Sequence, residues 1–215
     1  MAIKPILFNA EMVQAILEGR KTQTRRIIKG IECLNVYRAV PADDAYETLE
    51  KWDFFHGWSE NGAMIDAVEE IKAPYSVGDV LWVRETWSTH YDGIHDDLQF
   101  CYKADGIDIK SECLPGEYNR WYPSIHMPKE AARIFLYVKN VQAQLLYDMI
   151  EEDAIAEGFA DSPAGTDSPL ERFTILWDKT VKREDLRKYG YHANPWVWVI
   201  EFERCEKPTE WSEVF

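Results

Sequence analysis

The segment Trp196–Phe202 constrains the fold most strongly, because its large apolar side chains alternate in the pattern of a β-strand. Two other segments are similarly rich in β-branched and aromatic residues, Val80–Val83 and Ile134–Val138. Short strands of this kind, interspersed with helical patterns, are typical of a mixed α+β domain. We therefore predict an α+β fold, with a small barrel, organised as a single domain over residues 1–215.

The first helical pattern lies near the N-terminus. Apolar residues from Met12 to Leu17 recur at helical spacing, Asn9 is placed to cap the helix, and Gly19 is placed to end it. The sequence therefore predicts a helix that stops immediately before residue 20.

Later parts of the chain differ in how much pattern they carry. The segment Leu170–Lys188 has apolar residues at helical spacing and Gly190 just beyond it, which predicts a long helix. Few periodic signals occur from Asp92 to Glu117, so we predict a loop insertion around residues 92–117.

The segment after Gly19 concentrates four cations and two threonines in an otherwise acidic chain: Arg20, Lys21, Thr22, Gln23, Thr24, Arg25 and Arg26. Complementing a helix dipole contributes at most about 1 kcal/mol and does not require four cations. Burial and neighbouring arginines would lower the pKa of Lys21, which could then accept a proton from the Thr24 hydroxyl. Because Lys21 and Thr24 point to opposite faces of an extended segment, their contact requires a turn. The alternative is a solvated basic turn or an anion-binding loop without catalysis.

Glu157 is the acidic residue that most needs a partner. It falls in the last turn of a helical pattern for which Asp148 is the predicted cap, immediately before Gly158. A carboxylate is unfavourable at the C-terminal end of a helix, so its presence there indicates a partner. The alternative is an ordinary solvent-facing glutamate.

Tryptophans beside polar residues suggest a wall that could stack a nucleobase and bind its edge. The candidate substrate-binding residues form two groups: Trp82, Arg84 and Glu85, and Trp121, Ser124 and His126. The alternative is that the aromatic residues pack in the core and that His126 is structural.

Five blocks, in order from near the N-terminus to near the C-terminus, resemble a known family: Ile16–Arg26, Gly78–Trp87, Pro123–Pro128, Ile150–Phe159 and Asn194–Phe202. Together they resemble the ASCH domain family, and most closely its longer phage and prophage members. The resemblance implies a PUA-like (ASCH) small β-barrel with flanking helices and inserted loops.

Small bacterial ASCH proteins remove the acyl group from the N4 amine of N4-acylcytidine, using a lysine, a threonine and a glutamate. The resemblance assigns these roles to Lys21, Thr24 and Glu157. It implies that Lys21 deprotonates Thr24, that the Thr24 Oγ attacks the acyl carbonyl, and that Glu157 orients groups or protonates the departing amine. Arg26 or nearby backbone N–H groups would stabilise the oxyanion. Attack by a Lys21-activated water, a noncatalytic RNA-binding role and ribonuclease activity remain alternatives.

Composition limits the partners. The chain has 215 residues and a formal net charge of −14, which argues against broad, nonspecific affinity for nucleic acid. A small basic pocket suits a modified nucleoside, nucleobase or nucleotide better than a long polymer, while contact with single-stranded RNA through one basic face stays open. The oligomeric state is also open.

The cysteines and histidines indicate neither disulfides nor a metal site. The four cysteines and five histidines are scattered, without the close spacing of metal ligands. We read the cysteines as reduced thiols of a cytoplasmic protein, and we expect no metal and no cofactor. No apolar run has the length of a membrane span, and the N-terminus lacks the apolar stretch of a signal peptide.

Overall fold

A computed structural model describes residues 1–31, 36–42, 49–60, 63–91, 98–107, 120–159 and 168–209. These residues contain ten β-strands: β1 (Ile3–Leu7), β2 (Gln23–Ile27), β3 (Val36–Pro41), β4 (Lys51–Glu60), β5 (Ala63–Lys72), β6 (Val80–Arg84), β7 (Trp87–Tyr91), β8 (Leu98–Tyr102), β9 (Phe135–Leu145) and β10 (Trp196–Cys205). The same residues contain four α-helices: α1 (Ala10–Leu17), α2 (Glu151–Ala156), α3 (Pro169–Thr180) and α4 (Leu186–Tyr189).

The chain forms two compact units, each assembled from separate stretches of sequence. The first unit comprises Met1–Gly19, Val80–Tyr137 and Arg204–Phe215, and the second comprises Arg20–Asp79 and Val138–Glu203. The single domain over residues 1–215 stays a prediction. Of the predicted insertion at residues 92–117, residues 98–107 form β8 and a short 3-10 turn, and the rest lies outside the described residues.

The first unit is built on β6. This strand pairs in parallel with β1 and antiparallel with the start of β9, where Trp82 lies opposite Phe135. Val80, Trp82, Ala132 and Phe135 form a buried cluster between these strands and the segment before β9. Strands β7 and β8 form a separate antiparallel pair.

Helix α1 also belongs to the first unit and confirms its sequence prediction. The Asn9 side chain accepts a hydrogen bond of 2.8 Å from the backbone N–H of Met12, so it caps the helix as expected. Gly19 follows with a φ of +76°, a left-handed conformation that glycine adopts without steric cost. The chain therefore turns sharply just before the basic segment.

The second unit contains strands of two sheets. In one, β10 lies between β9 and β2, and it pairs antiparallel with β2. In the other, β4 pairs antiparallel with both β3 and β5. Phe54 of β4 packs edge-on against Trp196 and Trp198 of β10, with ring centroids 5.6 and 6.0 Å apart. These aromatic contacts form the apolar core between the two sheets.

The predicted α+β class and the three predicted strands are confirmed. Among the described residues, the strands form open sheets and no closed barrel. Two helix predictions needed correction. The residue that caps α2 is Ile150, whose N–H donates to the Asp153 carboxylate, whereas Asp148 belongs to a 3-10 turn before the helix.

The predicted helix over residues 170–188 is wrong in its length. Helix α3 ends at Thr180, where the hydroxyl donates to the Trp177 carbonyl, and Val181 is extended. The chain then folds back into α4. Gly190 follows α4, and a Cβ at this position would lie 2.6 Å from the carbonyl oxygen of Leu186. The glycine therefore marks a close backbone approach and not the end of one long helix.

Candidate functional site

The candidate site lies in the second unit, where the basic segment meets the end of α2. Lys21 forms an isolated antiparallel bridge with Glu157. The backbone N–H of Thr22 donates a 2.8 Å hydrogen bond to the carbonyl of Ala156. Backbone contacts therefore hold the segment before β2 against the end of α2 and bring the Lys21 and Glu157 side chains together.

Lys21 makes three short hydrogen bonds. Its Nζ lies 2.6 Å from Glu157 Oε2, 2.8 Å from the Glu157 carbonyl oxygen and 2.8 Å from the Gln23 carbonyl oxygen. The exposed fractions of the Lys21 and Glu157 side chains are only 1% and 5%. An ammonium has three N–H donors, so these contacts can satisfy all of them.

Arg25 and Asp153 extend this pair into a cluster of four ionisable side chains. Arg25 Nη1 lies 3.3 Å from Glu157 Oε1, and Nη2 lies 3.1 Å from Asp153 Oδ2. Gln23 donates its amide N–H groups to the carboxylate and the carbonyl of Asp153. Gln23 and Arg25 are two residues apart on β2 and share the face that meets α2. We call Lys21, Arg25, Asp153 and Glu157 the Lys21 cluster.

The hydrogen bonding of the Lys21 cluster is incomplete. Arg25 is buried, yet its Nε and Nη2 have no hydrogen-bond partner among the described residues. The Nη2 contact with Asp153 is close enough for an ion pair but lacks hydrogen-bond geometry. Unsatisfied donors of a buried guanidinium are uncommon in folded proteins, because desolvating them costs free energy.

The electrostatic surroundings lower the pKa of Lys21 from its ordinary value of 10.5. Burial is the largest cause, because it disfavours the charged ammonium, and the nearby Arg26 and Arg25 act in the same direction. Glu157 opposes this shift through its charge and its hydrogen bond. A lysine shifted in this way releases its proton more readily and is better suited to act as a base.

Thr24 and Arg26 lie on the other face of β2. Thr24 is buried and pairs with Ile200, while Arg26 is half-buried and pairs with Trp198. Because side chains alternate along a strand, these two residues face away from Arg25. The structure therefore brings Lys21 into contact with Glu157 and places Thr24 on the same face as Arg26.

A groove of about 410 Å³ opens beside Arg26. Its polar lining comes from Arg26, Lys29, Lys72 and Tyr75, and Trp198 contributes an apolar wall. Burial lowers the pKa of Arg26, whereas the nearby Tyr75 and Glu157 act in the opposite direction. Arg26 therefore links the groove electrostatically to the Lys21 cluster.

The first unit contains every residue of the two predicted aromatic walls. Trp82 is buried in the core cluster, with the Arg84 guanidinium 5.4 Å from its ring centre. Arg84 also donates to the carbonyl of Ile125. The Glu85 carboxylate is buried and is held by Arg133.

The second predicted wall is more accessible. Ser124 and His126 lie in a 3-10 turn, in which Ser124 is half-buried and His126 exposed, and Trp121 is half-buried. These three residues belong to the first unit, whereas the Lys21 cluster belongs to the second.

Sequence reasoning missed two members of the Lys21 cluster. Asp153 precedes Glu157 by four residues, the spacing that places two side chains on one face of a helix, and this signal could have identified it. Arg25 was expected only to lower the pKa of Lys21, and its ion pairs with the two carboxylates were not predicted. Its role depends on contacts with α2, more than one hundred residues away in the chain.

The described residues contain no group of three or more His, Cys, Asp or Glu side chains arranged to hold a metal ion. None of the helices in the described part of the chain is long and apolar enough to cross a membrane. No protein-family model, curated protein or solved structure matches this chain.

Proposed function

We propose that this protein is a cytoplasmic amidohydrolase with a PUA-like ASCH fold, which removes the acyl group from the N4 amine of N4-acylated cytosine or cytidine. The observation that carries the proposal is the buried pair of Lys21 and Glu157, whose Nζ and Oε2 atoms lie 2.6 Å apart. A buried lysine with a lowered pKa, hydrogen-bonded to a carboxylate, can serve as a general base at neutral pH.

In the proposed reaction, Lys21 reacts in its deprotonated form, which the lowered pKa makes easier to reach from the resting ammonium. It accepts the proton of the Thr24 hydroxyl, and the Thr24 Oγ forms a bond to the acyl carbon. The negative charge on the carbonyl oxygen is stabilised by Arg26 or by nearby backbone N–H groups. The bond between the acyl carbon and N4 then breaks. Glu157 passes the proton from Lys21 to the departing N4 amine.

Water completes the cycle. It attacks the acyl group on Thr24, the carboxylic acid leaves, and the Thr24 hydroxyl is restored. In the alternative chemistry, Lys21 activates a water molecule that attacks the acyl carbon directly. The position of Thr24 on the other strand face from Arg25 makes this alternative worth a direct test.

The proposal is tested by incubating the purified protein with N4-acetylcytidine and measuring cytidine by chromatography. We expect turnover by the wild type and a loss of about 10²- to 10⁴-fold in kcat for Lys21→Met and Glu157→Gln, because each removes a proton-transfer group. The matched control is Lys182→Met, which removes the charge of an exposed lysine outside the cluster. Circular dichroism establishes that each variant is folded.

Two results would overturn the proposal: no turnover of any N4-acylcytidine, or undiminished turnover by folded Lys21→Met. Tight binding of single-stranded RNA without turnover would support the noncatalytic alternative instead. Mass spectrometry of the quenched wild-type reaction decides the nucleophile. A mass increase of one acetyl group that disappears in Thr24→Val identifies Thr24, and full turnover by Thr24→Val identifies water.

A further inference from the structure

The groove beside Arg26 is lined by positive charges, whereas the chain as a whole is acidic. The whole chain has 38 acidic and 24 basic residues. The groove lining nevertheless includes three cations, Arg26, Lys29 and Lys72, and no carboxylate from the described residues. A cationic groove in an acidic protein is favourable for an anionic ligand, because the local charges attract what the overall charge repels.

The rest of the lining is apolar or aromatic. Ile27, Ile71 and Trp198 provide apolar surface, and Tyr75 is half-buried among them. A volume of about 410 Å³ is within the range of small-molecule sites. Cations together with an apolar wall suit a ligand that has both an anionic group and a planar ring, as a nucleotide does.

The three cations occupy different positions in the groove. Arg26 is half-buried on β2 and shares its strand face with Thr24, whereas Lys29 and Lys72 are exposed. Arg26 therefore lies at the end nearest the proposed chemistry. Lys29 and Lys72 lie at the solvent end, where a hydrophilic phosphate is most easily accommodated.

Lys72 already has a carboxylate partner, although a weak one. Its Nζ lies 3.7 Å from Glu50 Oε2, and the exposed fractions of the two side chains are 69% and 38%. Such an exposed ion pair contributes about 0 to 1 kcal/mol. A phosphate carries more charge than one carboxylate and presents three oxygens, so it can compete for Lys72.

We propose that this groove binds a nucleoside 5′-phosphate, with Lys29 and Lys72 on the phosphate and the base directed toward Arg26. The inference rests on the proposed function, since it makes the preferred substrate an N4-acylated cytidine monophosphate and not the free nucleoside. The product of that reaction is cytidine monophosphate. The product can be tested for binding without any catalysis.

Isothermal titration calorimetry with cytidine, cytidine 5′-monophosphate, inorganic phosphate and a short single-stranded RNA tests the assignment. We expect the monophosphate to bind at least tenfold more tightly than cytidine or phosphate alone. In Lys29→Gln/Lys72→Gln, the ratio of the affinity for cytidine 5′-monophosphate to the affinity for cytidine falls about tenfold, as expected for the loss of two exposed phosphate contacts. The matched double control, Lys179→Gln/Lys182→Gln, changes the net charge equally and leaves the ratio unchanged.

Equal affinities for cytidine and its monophosphate, or an equal fall of the ratio in the control, would overturn the assignment. Tighter binding of the RNA than of the monophosphate would also overturn it, in favour of a polymer ligand. Hydrolysis is measured separately, by comparing kcat/KM for N4-acetylcytidine with and without a 5′-phosphate. Monophosphate binding without hydrolysis would refute the proposed function and leave the groove assignment intact. Hydrolysis without a preference for the 5′-phosphate would support the proposed function and refute the groove assignment.

Discussion

The two compact units each contain a cluster of charged side chains, and the two clusters are satisfied to different degrees. In the first unit, Arg133 donates to both oxygens of Glu85 at 2.8 and 3.0 Å and to both oxygens of Asp105 at 2.9 and 2.8 Å. Its guanidinium carbon also lies 3.8 Å from the centre of the Tyr102 ring. We call Arg133, Glu85, Asp105 and Tyr102 the Arg133 cluster.

The Arg133 cluster joins one cation to two carboxylates, whereas the Lys21 cluster joins two cations to two carboxylates with less complete geometry. Arg25 makes one long contact to each carboxylate, and two of its buried nitrogens, Nε and Nη2, have no hydrogen-bond partner in the described residues. Arginine paired on both sides in a planar, bidentate arrangement is a strong and rigid structural element. The difference indicates that the Arg133 cluster mainly stabilises the fold. In the Lys21 cluster, the Arg25 guanidinium keeps donors that are not hydrogen-bonded within the described residues.

The largest expected effect comes from breaking the Lys21 cluster. Glu157→Gln leaves the Lys21 ammonium buried without its counterion, and we expect the free energy of unfolding to fall by about 3 to 5 kcal/mol. Urea denaturation followed by circular dichroism measures it. Replacing both partners, in Lys21→Met/Glu157→Gln, should recover part of the loss because no buried charge is then left unpaired. If the double variant is as unstable as Glu157→Gln, the ion pair is not the cause.

A smaller effect is expected from the corresponding change in the Arg133 cluster. Glu85→Gln removes one carboxylate, but Arg133 keeps Asp105 and is 28% exposed to water. We expect the free energy of unfolding to fall by about 1.5 to 3 kcal/mol, the range for a hydrogen bond to a charged group. The comparison uses the same urea denaturation. A loss equal to or larger than that of Glu157→Gln would remove the proposed distinction between the clusters.

The remaining effects are those of alkaline pH, and they should have opposite signs in the two clusters. Burial raises the pKa of Tyr102 to about 12, so the unfolded chain loses this proton first and stability falls as pH rises from 10 toward 12. Burial lowers the pKa of Lys21 below 10.5. The folded protein therefore loses the Lys21 proton first, and stability rises with pH up to about 10.5.

Difference measurements isolate these two contributions. Absorbance at alkaline pH, wild type minus Tyr102→Phe, should show one tyrosine ionising near pH 12. The free energy of unfolding, wild type minus Lys21→Met, should increase as pH approaches 10.5. An ordinary tyrosine titration near pH 10, or a difference that decreases with pH, would contradict the assigned environments.

Local signals in the sequence predicted much of the fold. The alternation in residues 196–202 and the Asn9 cap depend on neighbours a few residues apart, and both predictions are confirmed. The end of α3 depends on how Asp178 accepts the N–H of Tyr191 and on the close approach at Gly190. These contacts join residues that are separate along the chain, so helical periodicity alone gave too long a helix.

In the candidate site, too, local sequence patterns did not predict contacts between residues that are distant in the chain. The position of Glu157 at an unfavourable helix end indicated that this residue has a partner, and in the structure Lys21 pairs with it. The partner of Glu85 was not predictable in this way, because Arg133 is 48 residues away and no local pattern refers to it. The residue that lies opposite Thr24 on the neighbouring strand likewise depends on strand register and not on the motif itself.

The contact between Lys21 and Glu157 joins residues that are 136 positions apart in the chain. Closing a loop of that length costs more conformational entropy than closing the 48-residue separation between Glu85 and Arg133. Contacts between distant residues also form slowly during folding. The contact between Lys21 and Glu157 is therefore expected to form after local elements such as α1. Formation of this contact during refolding would indicate that the second unit has folded.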